Sequence, residues 1–162
     1  MVPLVENLDV MLHPELCRPG ESDKPEIEGW IRFPDGREPD ARALLLFCDT
    51  FPPSPFGVLG VVGWVPTIEL TVHVRRRPAP GWIQARFVTD DLADGRIIES
   101  GSLADSTGQL VAHSRQIHHG RDAGKVLHQH AGRAVGNLPR VLAAFVGPFG
   151  KRLDVVNRNR EP

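Results

Sequence analysis

The sequence predicts an α+β fold in which a curled antiparallel sheet surrounds one central helix. Three observations predict it. One or two strand-like segments come first, an apolar segment with a helix start follows, and four further strand-like segments succeed one another at short intervals. At 162 residues the chain is long enough for one domain with a single core.

The first clear strand is predicted over residues 25–33, where Ile27 and Ile31 lie on one face. Residues 34–36, Pro-Asp-Gly, end it as a turn. A weaker strand is predicted before it, over residues 5–12.

A short helix is predicted over residues 41–50. Asp40 caps free amide groups and Pro39 has no amide donor to leave unpaired at the start of a helix. Residues 43–48 are apolar on every side, so we expect the helix to be buried all round. Asp49 ends this apolar run. A charged carboxylate beside apolar side chains is energetically unfavourable, so its presence there suggests a functional role.

Residues 51–64 are rich in proline and glycine and predict a mobile connector. The clearest strand, residues 65–77, follows. Its alternation is that of a half-buried antiparallel strand. One face carries Ile68, Leu70, Val72 and Val74, and the opposite face carries Thr67, Glu69, Thr71, His73 and Arg75.

Three more strands are predicted over residues 82–90, 96–104 and 109–119, joined by turns at residues 94–95 and 105–108. The four last strands would then form a meander. This order of elements is the hotdog arrangement. We expect a single hotdog domain over residues 1–119 and a C-terminal extension over residues 120–162 that is partly helical or disordered.

Composition excludes several classes of function. The 19 basic and 20 acidic side chains nearly cancel, which argues against nucleic acid and anionic membranes as partners. The N-terminus lacks the pattern of a secretion signal, and no apolar stretch is long enough to span a membrane. Cys17 and Cys48 form neither a disulfide framework nor a metal-binding spacing. We therefore expect a soluble, cytoplasmic protein with a small-molecule partner.

Several sequence motifs, taken in chain order, resemble those of a known protein family. They are Asp49 at the helix end, Pro66-Thr67-x-x-Leu70-Thr71-x-His73, Arg77-x-Pro, Gly101-x-Leu103-x-Asp105-x-x-Gly108-x-Leu110-Val111-Ala112, and Ser114-Arg115-Gln116. The stretch from about Glu28 to Gln116 resembles the C-terminal hotdog half of type II (TesB-like) acyl-CoA thioesterases. The resemblance implies hydrolysis of acyl-CoA in fatty acid metabolism.

In that family the counterparts of Asp49, Thr67 and Gln116 hold the water that attacks the thioester carbonyl, so the resemblance implies these three as catalytic residues. No cofactor is implied beyond coenzyme A as part of the substrate. The chain departs from the family in two respects. It has room for one hotdog where those enzymes carry two, and Ala104 stands before Asp105 where an aromatic side chain is expected.

The strand pattern raises a difficulty for these three residues. Gln116 shares a face with Leu110 and Ala112, which predicts that it points inward, whereas Thr67 lies opposite Ile68 on its strand. A β-bulge, a strand start at Pro66 or a pocket shared with a second subunit would reconcile the two.

Other candidates carry less weight. Arg75 and Arg77 could bind the phosphates of coenzyme A, although such a cluster is more often a solvated strand end. Trp64 could line an acyl pocket, although core packing explains it at least as well. Asp49 could instead cap the helix end or form a salt bridge with Arg42 or with an arginine of a strand. The histidines, among them His118 and His119, show no metal-ligand pattern, and no metal is expected.

Two other functions stay open. One is a non-catalytic acyl-CoA or lipid-binding hotdog module, since a second half is missing. The other is a hotdog enoyl-CoA hydratase or dehydratase, although no histidine lies on or beside the central helix. For the thioesterase-like hydrolase, the open strand edges of a single hotdog predict a homodimer or a dimer of dimers.

Overall fold

The structure, a computed structural model, describes residues 7–15 and 17–120 and the backbone of residues 153–155. These residues form one seven-stranded sheet and two helices, which confirms the α+β class. The elements are β1 (Asp9–Leu12), β2 (Glu26–Arg32), α1 (Ala41–Cys48), α2 (Phe56–Leu59), β3 (Thr67–Val74), β4 (Ile83–Ala93), β5 (Arg96–Ala104), β6 (Leu110–His119) and β7 (Leu153–Val155).

The strands lie in the order β3-β6-β5-β4-β2-β1-β7, all antiparallel except the β1/β7 pair. The predicted turn at Asp94-Gly95 is confirmed, and its two residues have the positive φ that a tight hairpin needs. The predicted four-strand meander is wrong, because β3 pairs with β6 while β4 pairs with β2. Three strand spacings, about 14 Å, separate β3 from β4, and residues 75–82 are long enough to bridge them.

Helix α1 begins where the sequence predicts. The carboxylate of Asp40 accepts hydrogen bonds from the backbone amides of Arg42 and Ala43, both at 2.9 Å, which satisfies two free donors of the first turn. One face of the helix packs on the sheet and forms the main core. The buried residues of that core include Ile31, Leu44, Phe47, Ile83, Ala85, Phe87, Leu103 and Ala112.

The expectation that α1 is buried on every side is wrong. Ala43, Leu44, Phe47 and Cys48 are buried, whereas Leu45 on the opposite face is 47% exposed. The physical reason is that the described residues form a single sheet, and a helix on one sheet can bury only one side. Among the described residues, nothing covers the outer face of α1 at Leu45.

The expectation of a loose connector over residues 51–64 is also wrong. The segment contains helix α2 and packs a second apolar cluster onto the sheet, in which Phe56, Leu59, Val62 and Ile97 are buried. The proline and glycine residues shape turns in this segment, such as those at Gly60 and Gly63 with positive φ, and leave its apolar side chains free to pack.

The predicted C-terminal extension lies outside the described residues except for the backbone of β7, which pairs with β1. Within the part of the chain that the structure describes, neither helix is long and apolar enough to cross a membrane.

Asp105 fixes the turn between β5 and β6 to the crossover before β4. Its carboxylate accepts hydrogen bonds from the Thr107 hydroxyl (2.6 Å) and from the backbone amides of Ala79, Thr107 and Gln109 (3.0 to 3.1 Å). These hydrogen bonds, that of the Thr107 hydroxyl above all, lower the pKa of Asp105 to about 2. The charged carboxylate thus holds two loops together.

We expect Asp105→Asn to lower the free energy of unfolding by about 1–3 kcal/mol, because a buried amide donor loses its acceptor. The native pKa lies below the ordinary value of 3.8, so the stabilisation is complete above about pH 4 and is lost as the pH falls towards 2. Urea unfolding at several pH values tests this. The variant should lose part of the acid dependence, and the exposed Asp23→Asn control should keep it; equal curves would contradict the role of Asp105.

Candidate active site

Asp49 lies at the C-terminal end of α1, between the helix and strands β3 and β6. Its backbone amide donates to the carbonyl of Leu46 (3.1 Å), as does the hydroxyl of Thr50 (2.7 Å). These bonds satisfy a carbonyl that the helix end would otherwise leave free. They also fix the direction in which the Asp49 side chain leaves the helix.

A β-bulge at Ile68 brings Thr67 to the core face of β3. Thr67 pairs with His118 and Glu69 with Ile117, so Ile68 is the extra residue between them. The insertion shifts the alternation by one residue, and Thr67 shares a face with Leu70, which contacts the core, while Ile68 is 60% exposed. The predicted placement of Ile68 on the buried face is thus wrong, and the bulge resolves the difficulty over Thr67 and Gln116.

Asp49, Thr67 and Gln116 form a closed triangle of hydrogen bonds. The amide nitrogen Nε2 of Gln116 donates to Asp49 Oδ1 (2.7 Å) and to Thr67 Oγ1 (2.6 Å), and the Thr67 hydroxyl donates to the same Asp49 Oδ1 (2.9 Å). An ionised carboxylate can only accept, so this geometry also assigns the amide orientation of Gln116. Residues 49, 67 and 116, far apart in sequence, therefore meet at one oxygen.

The triangle suits a carboxylate that removes a proton from water. Two neutral donors hold Oδ1, and within the described residues no side chain donates to the other carboxylate oxygen, Oδ2. That oxygen is free to accept a proton from a water molecule. General-base catalysis needs such a group within hydrogen-bond reach of the attacking water.

Solvent reaches one side of the triangle. Gln116 is 3% exposed, but Asp49 and Thr67 are both exposed, so the expected burial of Asp49 is wrong for the chain on its own. The cause is the same as for the outer face of α1, since the helix end lies beside β3, the last strand at this side of the sheet. Arg42 does not take Asp49 as its partner; it pairs with Asp40 (3.2 Å).

Among the described residues, no side-chain hydrogen bond or ion pair links the predicted substrate-binding residues to the triangle. Arg75 lies eight residues beyond Thr67, roughly 26 Å along an extended chain, and Arg77 lies further in the same direction. Both are exposed. Trp64 precedes β3 by three residues and is 77% exposed. Their part in binding a substrate therefore stays a prediction.

The sequence interpretation missed two buried polar residues beside the triangle. Glu99 on β5 lies directly opposite Gln116, and His118 lies two residues further along β6; they are 3% and 4% exposed. The alternation Ile97, Glu99, Gly101 in β5 already places Glu99 on the apolar face of its strand. That signal could have identified it.

Cys48 lies immediately before Asp49 but is buried. Burial raises the pKa of its thiol to about 11, and burial has the same effect on Cys17. A protonated, inaccessible thiol is a poor nucleophile. Cys48 is therefore poorly suited to act as a nucleophile.

Residues 2–118 match the family model of the acyl-CoA thioesterase C-terminal domain. Among solved structures, a candidate thioesterase II from Thermobifida fusca YX is 34% identical, with a TM-score of 0.61 over 70% of this chain and 45% of that chain.

Two more distant structures support the fold. A hotdog protein from Alicyclobacillus acidocaldarius is 20% identical, with a TM-score of 0.61 over 70% of this chain and 45% of its own. The tesB protein of Mycobacterium avium subsp. paratuberculosis is 20% identical, with a TM-score of 0.56 over 71% of this chain and 48% of its own. The predicted hotdog fold is confirmed.

Among curated proteins, uncharacterized proteins of Mycobacterium tuberculosis and Mycobacterium bovis are 34% identical over 93 residues. That match covers 57% of this chain and 31% of theirs. The chain thus spans about a third of the length of these relatives and less than half of the solved structures above.

The thiol of Cys48 should resist modification in the folded protein. With a pKa of about 11, only about a thousandth is thiolate at pH 8, and the group is also inaccessible. In a Cys17→Ser variant, we expect a disulfide reagent such as DTNB to label Cys48 only after urea unfolds the chain. Rapid labelling of the native variant would contradict the burial of Cys48.

Proposed function

This chain belongs to the family of acyl-CoA thioesterase C-terminal domains, and from that premise we propose that it hydrolyses acyl-CoA thioesters with a water molecule activated by Asp49. The observation that carries the proposal is the convergence of Thr67 and Gln116 on one oxygen of Asp49. A carboxylate held in this way by neutral donors keeps a fixed orientation and leaves its second oxygen for water.

In the proposed reaction, water attacks the thioester carbonyl carbon while Asp49 Oδ2 takes one of its protons. The tetrahedral intermediate then collapses, the carbon–sulfur bond breaks, and the thiolate of coenzyme A takes the proton back from Asp49. The products are a carboxylic acid and the free thiol. Thr67 and Gln116 act by orienting Asp49 and the water. The proposed steps balance without a cofactor.

We propose that a second copy of the chain completes the site. Among the described strands, β3 ends the sheet on the side of the triangle. Ile68 on this strand, Trp64 just before it and Leu45 on α1 are exposed apolar side chains. A base that stays in contact with bulk water gains little from its surroundings, whereas a covered site excludes water other than the attacking molecule. Pairing along β3 would cover these apolar groups and the triangle together.

A non-catalytic acyl-CoA-binding module is the second candidate. The exposure of Asp49 and Thr67 in the single chain favours it. Binding of an acyl-CoA without release of thiol, across several chain lengths, would support this candidate against hydrolysis.

We expect Asp49→Asn to lower kcat by about 10²- to 10⁴-fold, because the amide cannot take a proton from water. Thiol release from a panel of acyl-CoA substrates measures the rate, and circular dichroism shows that the variant is folded. Asp35→Asn, a change of the same kind at an exposed turn, is the matched control. Unchanged turnover in Asp49→Asn would remove Asp49 from the mechanism.

We expect light scattering to give at least twice the chain mass of 17.9 kDa. Ile68→Lys should shift the assembly towards the monomer and lower turnover with it, because the charge would enter the apolar contact. Val88→Lys, on the outer face at the middle of the sheet, serves as the control. A wild-type chain that is active as a monomer would overturn the proposed pairing.

A further inference from the structure

A row of polar side chains crosses the core face of the sheet and separates its two apolar clusters. Thr89, Glu99 and Gln116 are partners across β4, β5 and β6, and His118 lies beside them. One cluster lies under α1 and the other under α2. We call these four residues the polar row. It leads from the Asp49 triangle into the protein, where apolar side chains would be expected.

Glu99 is the costliest member of the polar row. Its side chain is almost completely buried, and burial of a carboxylate is unfavourable unless it has partners. Its Oε2 accepts a hydrogen bond from the backbone amide of Ser54 at 2.7 Å. Its Oε1 lies 3.5 Å from Nε2 of His118, which is within ion-pair distance. Both contacts involve groups that are themselves buried.

The bond to Ser54 restrains the segment that follows Asp49. Ser54 is fully buried, and its hydroxyl also lies 2.8 Å from that of Thr89, so two members of the polar row hold it. Between Ser54 and Asp49 the segment contains the Pro52-Pro53 pair, whose backbone is stiff. Fixing Ser54 therefore restricts the path of the chain up to Asp49.

Phe51 supplies a further contact on the same path. Its ring packs 5.3 Å from that of Phe87, measured between centroids, and it lies against Gly29, where a side chain would collide with the ring. Glu99 and Phe51 thus secure the two ends of the turn after α1. Movement at either point would move Asp49 relative to Thr67 and Gln116, which belong to the sheet.

We propose that Glu99 is a positioning residue of the active site, which acts through the Ser54 amide on the segment that carries Asp49, with His118 buried beside it. This inference rests on the proposed thioester hydrolysis. A positioning role would explain why a carboxylate is buried at this position, which packing alone does not explain. It also places His118, whose two ring nitrogens have no hydrogen-bond partner among the described residues, next to Glu99.

Asp105 provides a matched comparison within the same chain. It too is a buried carboxylate that accepts hydrogen bonds from backbone amides, but those bonds hold the β5/β6 turn and the crossover before β4. Loss of either acid should lower stability. Only the loss of Glu99 should change the catalytic step, because only the Ser54 segment leads to Asp49.

The test compares Glu99→Ala, Glu99→Gln and Asp105→Asn, each in the full chain, at a temperature where all are folded. We expect Glu99→Ala to lower kcat by about ten- to a hundredfold with KM changed less than about threefold, since a displacement of about 1 Å can cost that much. Glu99→Gln keeps an oxygen for the Ser54 amide and should recover most of the rate. Asp105→Asn should keep the wild-type kcat.

Amide NMR spectra give a second reading that does not depend on turnover. In Glu99→Ala the Ser54 amide should move upfield and exchange faster with solvent, and the Asp49 amide should shift as well. Asp105→Asn should leave both amides unchanged. Unmoved Ser54 and Asp49 signals in Glu99→Ala would overturn the inference, whatever the rates.

The rates separate the two proposals. If the wild type releases thiol and Glu99→Ala retains its kcat, the positioning role is wrong and hydrolysis stands. If the wild type releases no thiol from any acyl-CoA, the proposed hydrolysis is wrong, and the Asp49 amide shift alone decides whether Glu99 positions this segment. A fall in kcat that Glu99→Gln does not recover would also overturn the proposed hydrogen-bond route.

Discussion

The single extra residue at Ile68 decides whether the three polar side chains can meet. In a regular strand successive side chains alternate between faces, so Thr67 would point away from Gln116 and Asp49. The bulge reverses the alternation for the first residue of β3 and leaves Leu70 on the core face. Its cost is an exposed isoleucine and an interrupted ladder. The hydrogen bonds of Thr67 to Asp49 and Gln116 offset part of that cost.

The same face of the sheet has to accommodate both apolar packing and a row of polar groups. The apolar side chains form two separate clusters, one under α1 and one under α2. Glu99 and its polar neighbours lie between the two clusters. A continuous apolar core would be more favourable per unit area, since a buried carboxylate has to be paired. The division suggests that the polar row is retained for the geometry of the site, with the apolar clusters providing the stability.

Local patterns predicted the elements of this fold well and their arrangement less well. The helix start at Asp40 and the hairpin at Asp94-Gly95 are set by neighbouring residues, so the sequence alone reveals them. The pairing of β3 with β6 depends on packing across the whole sheet, which no local signal reports. The meeting of residues 49, 67 and 116 followed from a family resemblance. The bulge that permits it could be offered only as one of several explanations, because no residue type requires it at Ile68.

The burial of side chains is the other property that the hydrophobic pattern of a single chain could not predict. The apolar run of α1 predicts a helix covered on all sides, yet one sheet covers only one side, and Leu45 and Asp49 remain in solvent. If a partner binds along β3, the full apolar character of the helix is explained, and the same contact shields the base from bulk water. Assembly and catalysis would then share one surface. A site of this kind gains its low-dielectric surroundings only when the partner is present, so activity would depend on protein concentration near the dissociation constant.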